Sequence, residues 1–388
     1  MRSRSRLIIL LVAVAALIAC IAMLPPISLR VPLGARAMPW TMAYLDAAQR
    51  LSLVESDGPR QLFDQPLMEK GAAASPTGTH VAAVTSTGEL WLVPTIFGDP
   101  VLLAEGPVAT SFWPEVSPWS ADGRALVYVS QGNVFYRKLT SKPRQLTTTG
   151  DAFTAALSPD GSLVAYGRKD KADKDLGLWV AAVRLPGEPR QLAQSTGDVF
   201  SACCPHWSPD GQWVAFLQAY EGGGLAVAKA DGTDTRVGIE AAWEPLHWLP
   251  DGNTVLYPKV PYGESPDGLW TYSVSNKATR RLAEPGQEIA YALSPDGRQA
   301  FVAAGKLDQT TPPTQARVSL ISLPQGTATP GQRTLSGEPL QAHWSPAGDL
   351  ALLSFASSAG QLRLGRKGLG DLKNLTPARR TAGWVRCR

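Results

Sequence analysis

The stretch Trp207-Ser208-Pro209-Asp210-Gly211-Gln212-Trp213-Val214-Ala215-Phe216 constrains this chain more than any other, because its turn returns six times. The copies are Ser75-Pro76-Thr77-Gly78, Ser120-Ala121-Asp122-Gly123, Ser158-Pro159-Asp160-Gly161, Leu249-Pro250-Asp251-Gly252, Ser294-Pro295-Asp296-Gly297 and Ser345-Pro346-Ala347-Gly348. Pro209 presets φ for the first corner, Asp210 suits the second, and Gly211 can take the positive φ that a type I turn with a bulge demands. Successive copies start 45, 38, 50, 41, 45 and 51 residues apart. Short strands recurring every roughly 40–45 residues are what a β-propeller blade needs.

A chain of 388 residues would ordinarily suggest two or three domains. The repeat overrules that prior, since one closed ring can absorb nearly all of it. Apolar residues make up 44% and charged residues 18%, enough for a large core and not the balance of a disordered chain. The net charge of +4 is slight and scattered, which excludes a nucleic-acid groove.

The chain divides into residues 1–24, a short tether over 25–37, and a propeller over 38–388. Arg2, Arg4 and Arg6 precede an uncharged apolar run from Leu7 to Leu24. As a helix it would span roughly 27 Å, close to the hydrocarbon thickness of a bilayer. It is read as a membrane-targeting helix, either an uncleaved anchor or an ordinary cleaved signal, with the arginines cytoplasmic and the rest facing the periplasm or cell exterior.

A full repeat carries four strands, A to D. In the second turn-bearing copy A ends at Trp119, B is Ala125 to Val129, C is Val134 to Tyr136 and D is Pro143 to Leu146. At the start of the propeller, Thr41–Leu45, Leu51–Val54 and Pro59–Leu62 look like B, C and D with no A before them. Ala382-Gly383-Trp384-Val385 looks like an A with nothing after it. The two fragments complete one blade, so the C-terminal strand closes the ring and leaves no open edge. Seven turn-bearing repeats plus this composite make eight blades of about 44 residues, whereas seven blades would need about 50 each.

The phrase Trp/Leu-Ser-Pro-Asp-Gly-x-x-Val-Ala-Phe/Tyr, followed by Pro-Arg-Gln-Leu at 143–146 and 189–192, resembles the WD40-like (PD40) repeat of TolB-type β-propellers. The resemblance covers essentially everything after residue 37 and implies an all-β fold of four-stranded antiparallel blades. TolB carries an α/β domain before its propeller, and only some 35 residues stand there in this chain. Leu17-Ile18-Ala19-Cys20 resembles the lipobox of bacterial lipoproteins, which would make Cys20 a lipidation site, although Ile21 to Leu24 stay apolar where lipoproteins usually turn polar.

Each candidate for chemistry has a plainer counterpart. Gly-x-Ser-x-Gly is absent, so a serine hydrolase is excluded. His206, His247 and His343 each precede the Trp of a strand A, in blades five, six and eight, and imidazole is a common metal ligand. Other blades place Ala156, Ala292 and Pro118 there, which favours packing over a metal or lyase-like centre. Cys203-Cys204 lacks metal-site or Cys-x-x-Cys spacing and reads as buried thiols or a strained vicinal pair. Cys387, opposite in the ring, is too far away to pair with it. Asp160, Asp210, Asp251 and Asp296 lie a blade apart and read as turn residues, not as a calcium site.

The expected function is therefore binding, without a cofactor: a membrane-tethered scaffold for a protein, peptide or envelope glycan. The A–B turns make one face uniform. The B–C loops of the other face lengthen at Arg168–Gly177, Tyr220–Gly224, Lys259–Gly268 and Gly305–Arg317. Loops held by a rigid scaffold are where binding residues ride, and Lys169, Lys171, Lys174, Tyr262 and Glu264 are the candidates.

Overall fold

Short runs of β-branched and aromatic residues broken by Gly and Pro favour strands joined by tight turns. The computed structural model describes residues 40–55, 58–109, 116–172, 174–184, 187–194, 202–218, 224–260, 267–283, 287–305, 315–323, 326–328, 333–336, 338–346, 350–355, 360–365, 373–377 and 380–386. The stretch expected to form an N-terminal helix, the tether and Cys20 lie outside them. Among the described residues the regular elements are strands, grouped into eight antiparallel sheets.

The fifth sheet is typical. Its strands Cys203–Trp207, Trp213–Gln218, Gly224–Lys229 and Thr235–Arg236 pair in chain order as A, B, C and D. In the seventh sheet Gln315–Ser322 pairs with both Thr327–Ala328 and Arg333–Ser336, so strand D is split. The third departs further from the expected pattern. Val108–Ala109 pairs with the end of strand B, while Trp119 makes a separate bridge to Leu126.

The first sheet joins the two ends of the propeller. Arg380–Arg386 pairs antiparallel with Trp40–Leu45, with Met42 opposite Trp384 and Leu45 opposite Arg380. Trp40–Leu45 needs that partner, because Met42, Ala43, Tyr44 and Leu45 are all 2% exposed or less. The Arg386 N–H then donates to the Gly78 carbonyl at 2.7 Å, tying the closing strand to the turn of the second sheet.

Neighbouring strands A pack side by side, as do Ala152–Leu157 with Cys203–Trp207 and Arg380–Arg386 with Leu67–Ala74. The core lies in the seams between consecutive sheets. Leu53 and Phe63 meet Val81 and Val93 between the first two, and Leu225 and Val227 meet Val255 and Tyr257 between the fifth and sixth. Sheets stacked face to face in a ring are a β-propeller.

Candidate binding face

The repeated turns form one face. Ser120, Ser158, Ser208 and Ser294 each donate a hydroxyl to the Asp two residues on, at 2.5–2.7 Å. That carboxylate also accepts the backbone N–H of Arg124, Ser162, Gln212 or Arg298 at 3.0–3.1 Å. The serine hydroxyl, first, holds the pKa of Asp122, Asp160 and Asp296 below the usual value. These carboxylates are committed to their turns.

Some of the turns also abut one another. A Cβ on Gly297 would lie 2.2 Å from the Pro250 ring of the turn before, and one on Gly252 would lie 3.2 Å from the Asp210 carboxyl. An open groove of about 780 Å³ runs between the turns at 249–252 and 294–297, lined by Leu249, Asp251, Asp296, Arg298 and Leu323.

Inside the ring, one contact recurs. The indole N–H groups of Trp119, Trp207, Trp248 and Trp344 donate to the carbonyls of Ala73, Ala156, His206 and Ala292 in the preceding sheet, at 2.9–3.1 Å. Each acceptor sits immediately before the position equivalent to the next tryptophan, the very position occupied by the histidines. Side chains there reach forward. His206 Nε2 lies 3.2 Å from Glu244 Oε2 in the approach to the sixth sheet. His247 meets Tyr291 of the seventh sheet edge-on, ring centres 5.2 Å apart.

Surrounding protein desolvates His247, and this cause first, then the charges of His206 and His343, pulls its pKa down to about 3. The three expected histidines are thus within electrostatic reach of His247, but His206 and His247 are each engaged across a seam. Among the described residues no three His, Cys, Asp or Glu side chains are grouped to hold a metal ion. His80 bonds its neighbour Thr79 at 3.0 Å.

The opposite face carries the B–C and D–A connections. In the fourth sheet the expected long loop is shorter than its sequence suggests, because strands run through Lys169 and resume at Asp175. Asp170 accepts the N–H groups of Ala172 and Lys174 at 2.8 and 2.9 Å, so the tip folds on its own carboxylate. Beneath it Asp151 takes three hydrogen bonds of 2.7–3.0 Å from Arg168. Burial is the largest influence on Asp151 and opposes its ionisation, but the hydrogen bonds from Arg168 and Thr149 and the Arg168 charge together outweigh it and the pKa falls. The Arg168 guanidinium also lies 4.5 Å over the Trp179 ring, and Lys169 Nζ is 5.5 Å from the Phe153 ring. Lys171 and Lys174 are exposed on this braced hairpin. Tyr262 and Glu264 lie outside the described residues.

Two residues on the same arc escape the sequence reading. Val237 and Trp243, in the connection between the fifth and sixth sheets, are each 53% exposed. The Trp243 N–H is held by the Pro258 carbonyl at 3.1 Å, and the ion pair Lys259–Glu240, at 2.8 Å, stands in the same region. Met68 is 40% exposed on this face of the second sheet, whereas Phe97 and Val101 open on the turn side. The available signal for Trp243 was its spacing: it falls five residues before the strand A tryptophan Trp248, outside the repeat.

No family model and no curated protein matches the chain. Among solved structures it is similar to the dihydro-heme d1 dehydrogenase NirN, with a TM-score of 0.63 and 15% identity over 94% of this chain and 78% of that one. Sqt1 of Saccharomyces cerevisiae gives a TM-score of 0.55 and 11% identity, over 86% and 87%. TolB from Acinetobacter baumannii is also found, with a TM-score of 0.39 and 16% identity over 66% and 63%. At such identities the two stronger likenesses establish a β-propeller fold and nothing of its chemistry.

Proposed function

We propose that this protein is a membrane-tethered, extracytoplasmic β-propeller of the TolB-like repeat type, with each sheet one of eight blades, acting as a binding scaffold. Its ligand is a protein or envelope partner with polar and aromatic contacts. The observation that carries this is the arc over blades four to six, where exposed Trp243 and Val237 share a face with the braced Lys169–Lys174 hairpin. Tightly braced loops bearing an exposed aromatic and exposed charges are the anatomy of a recognition patch. Among the described residues no helix is long and apolar enough to cross a membrane. Tethering rests instead on the apolar run from Leu7 to Leu24 and its three arginines, or on lipid at Cys20.

The test is recovery of bound proteins from solubilised native membranes, comparing the parent chain with Trp243→Ser and with Lys169, Lys171 and Lys174 all changed to Glu. Partners common to replicate preparations should be lost from both variants while the fold is kept. Equal recovery by parent and variants would move binding elsewhere. A chain starting at Arg36 should leave the membrane fraction, and retention there would sink the tether.

A further inference from the structure

Strand A of the fifth blade begins with two adjacent cysteines. Neighbours in a regular strand point to opposite faces, which keeps their side chains apart. This strand is irregular there. Cys204 has φ of +59°, in the left-handed region, and the pairing with strand B shifts between Cys203 and His206. The kink brings the two sulfurs together, with the Cys204 thiol 2.7 Å from Cys203 Sγ and no disulfide between them. A left-handed non-glycine residue persists only where its surroundings impose it. Here the imposed geometry is the one in which neighbouring sulfurs can bond. Cys203 is half-buried and reachable, while Cys204 is buried against Val116, Ala156 and Trp207.

We propose that Cys203 and Cys204 are a two-electron redox couple that closes to a vicinal disulfide by exchange with a disulfide oxidant. Cys203 gives up its proton and its thiolate attacks one sulfur of the oxidant, whose S–S bond breaks and releases the first thiol. Cys204, losing its own proton, then displaces the second thiol from the mixed disulfide. One S–S bond forms, one breaks, and two electrons and two protons pass to the oxidant. A bridge between neighbours encloses no length of chain, so it adds little of the loop entropy that stabilises ordinary disulfides. Its effect is local. It locks the kink that brings the strand back into register, with His206 opposite Ala215 and Trp207 opposite Val214.

The experiment uses the full chain, reduced, freed of reductant and exposed to oxidised glutathione. It is then acid-quenched, alkylated without reduction and digested with trypsin. Residues 191–229 contain no internal Lys or Arg, so both sulfurs stay on one peptide, separate from Cys20 and Cys387. The expected peptide takes no alkyl group and is lighter than the dithiol by two hydrogens, and reduction before alkylation restores two alkyl groups. Two alkyl groups after oxidation, a persistent glutathione adduct, or a cross-link to the Cys20 or Cys387 peptide would each overturn the proposal.

Discussion

The two faces of this ring are drawn from the same strands, yet their connections obey different rules. On the turn face each Ser-Pro-Asp-Gly unit satisfies its own backbone, and at some seams it also abuts the turn before, so that Gly297 has no room for a methyl group beside Pro250 while Gly161 stands clear. On the loop face the connections of the fourth and sixth blades are braced from below, by Asp151–Arg168 and Glu240–Lys259, and leave Lys171, Lys174 and Trp243 exposed. Where neighbours tile, every copy must resemble the last. Where a connection is braced from below and its tip does not abut the neighbouring tips, the tip can change without disturbing the others, and a binding surface can be built there.

The sharpest way to break the turn face is at its seam. Arg386 feeds the turn at Gly78, and Trp40–Leu45 has Arg380–Arg386 as its edge partner. Deleting residues 380–388 should strip that strand and expose its buried residues. The expected loss is comparable with the whole stability of a domain, about 5–15 kcal/mol. Urea unfolding should show loss of the cooperative transition, or the protein should aggregate through the open edge. A deletion variant with the parent's midpoint would mean that the ring does not depend on this strand.

A smaller break separates turn conformation from turn tiling. Gly297 and Gly161 have φ of +66° and +70°, so alanine suffers the same backbone penalty of about 1 kcal/mol at each. Only Gly297 has the neighbouring ring 2.2 Å from the added carbon, whereas nothing lies within 4 Å at Gly161. Gly297→Ala should therefore cost about 2–3 kcal/mol in all, and Gly161→Ala about 1. Equal costs by denaturant unfolding would show that the turns do not support one another.

What could be read in advance follows the same division. The turns, the strand order and the fragments at 41–62 and 382–385 are local signals repeated or complementary in sequence, so they were legible. The Lys169–Lys174 loop looked longer than it is because strand residues there are charged, and Asp175, fully buried, gives no apolar alternation to mark a strand. Glu244 was invisible for another reason. Its carboxylate matters through His206 in a different blade, 38 residues away, and nothing local announces the pair.

Acidification tests the interior that joins the faces. The folded pKa of His247 is about 3, against 6.5 for the exposed ring, with desolvation the leading cause. Between those values the unfolded chain binds a proton that the folded chain refuses, so stability is present above about pH 6.5 and is lost as pH falls. From about pH 7 to about pH 5 one such group removes about 2 kcal/mol. His80, also lowered by burial, acts in the same direction. His247→Gln should flatten the dependence of the unfolding free energy on pH whatever its effect at neutrality. An unchanged slope would mean that His247 takes up its proton in the folded ring.

The smallest expected effect sharpens the comparison most, because it sets two tryptophans five residues apart against each other. Trp248 is 8% exposed and its indole N–H donates to the His206 carbonyl at 2.9 Å, the contact that recurs around the ring. Phenylalanine keeps most of the apolar area there but leaves a carbonyl without its donor, a loss of about 1–2 kcal/mol. Trp243 is 53% exposed, so Trp243→Phe should change the unfolding free energy by no more than about 0.5 kcal/mol. Partner recovery should run the other way, falling for substitutions at Trp243 and holding for Trp248→Phe in whatever fraction stays folded. If both substitutions cost the same stability, Trp243 is part of the core and the exposed arc loses its anchor. If Trp243→Phe leaves stability and recovery alike untouched, the aromatic contact needs only a ring, and Trp243→Ser then decides whether the arc binds at all.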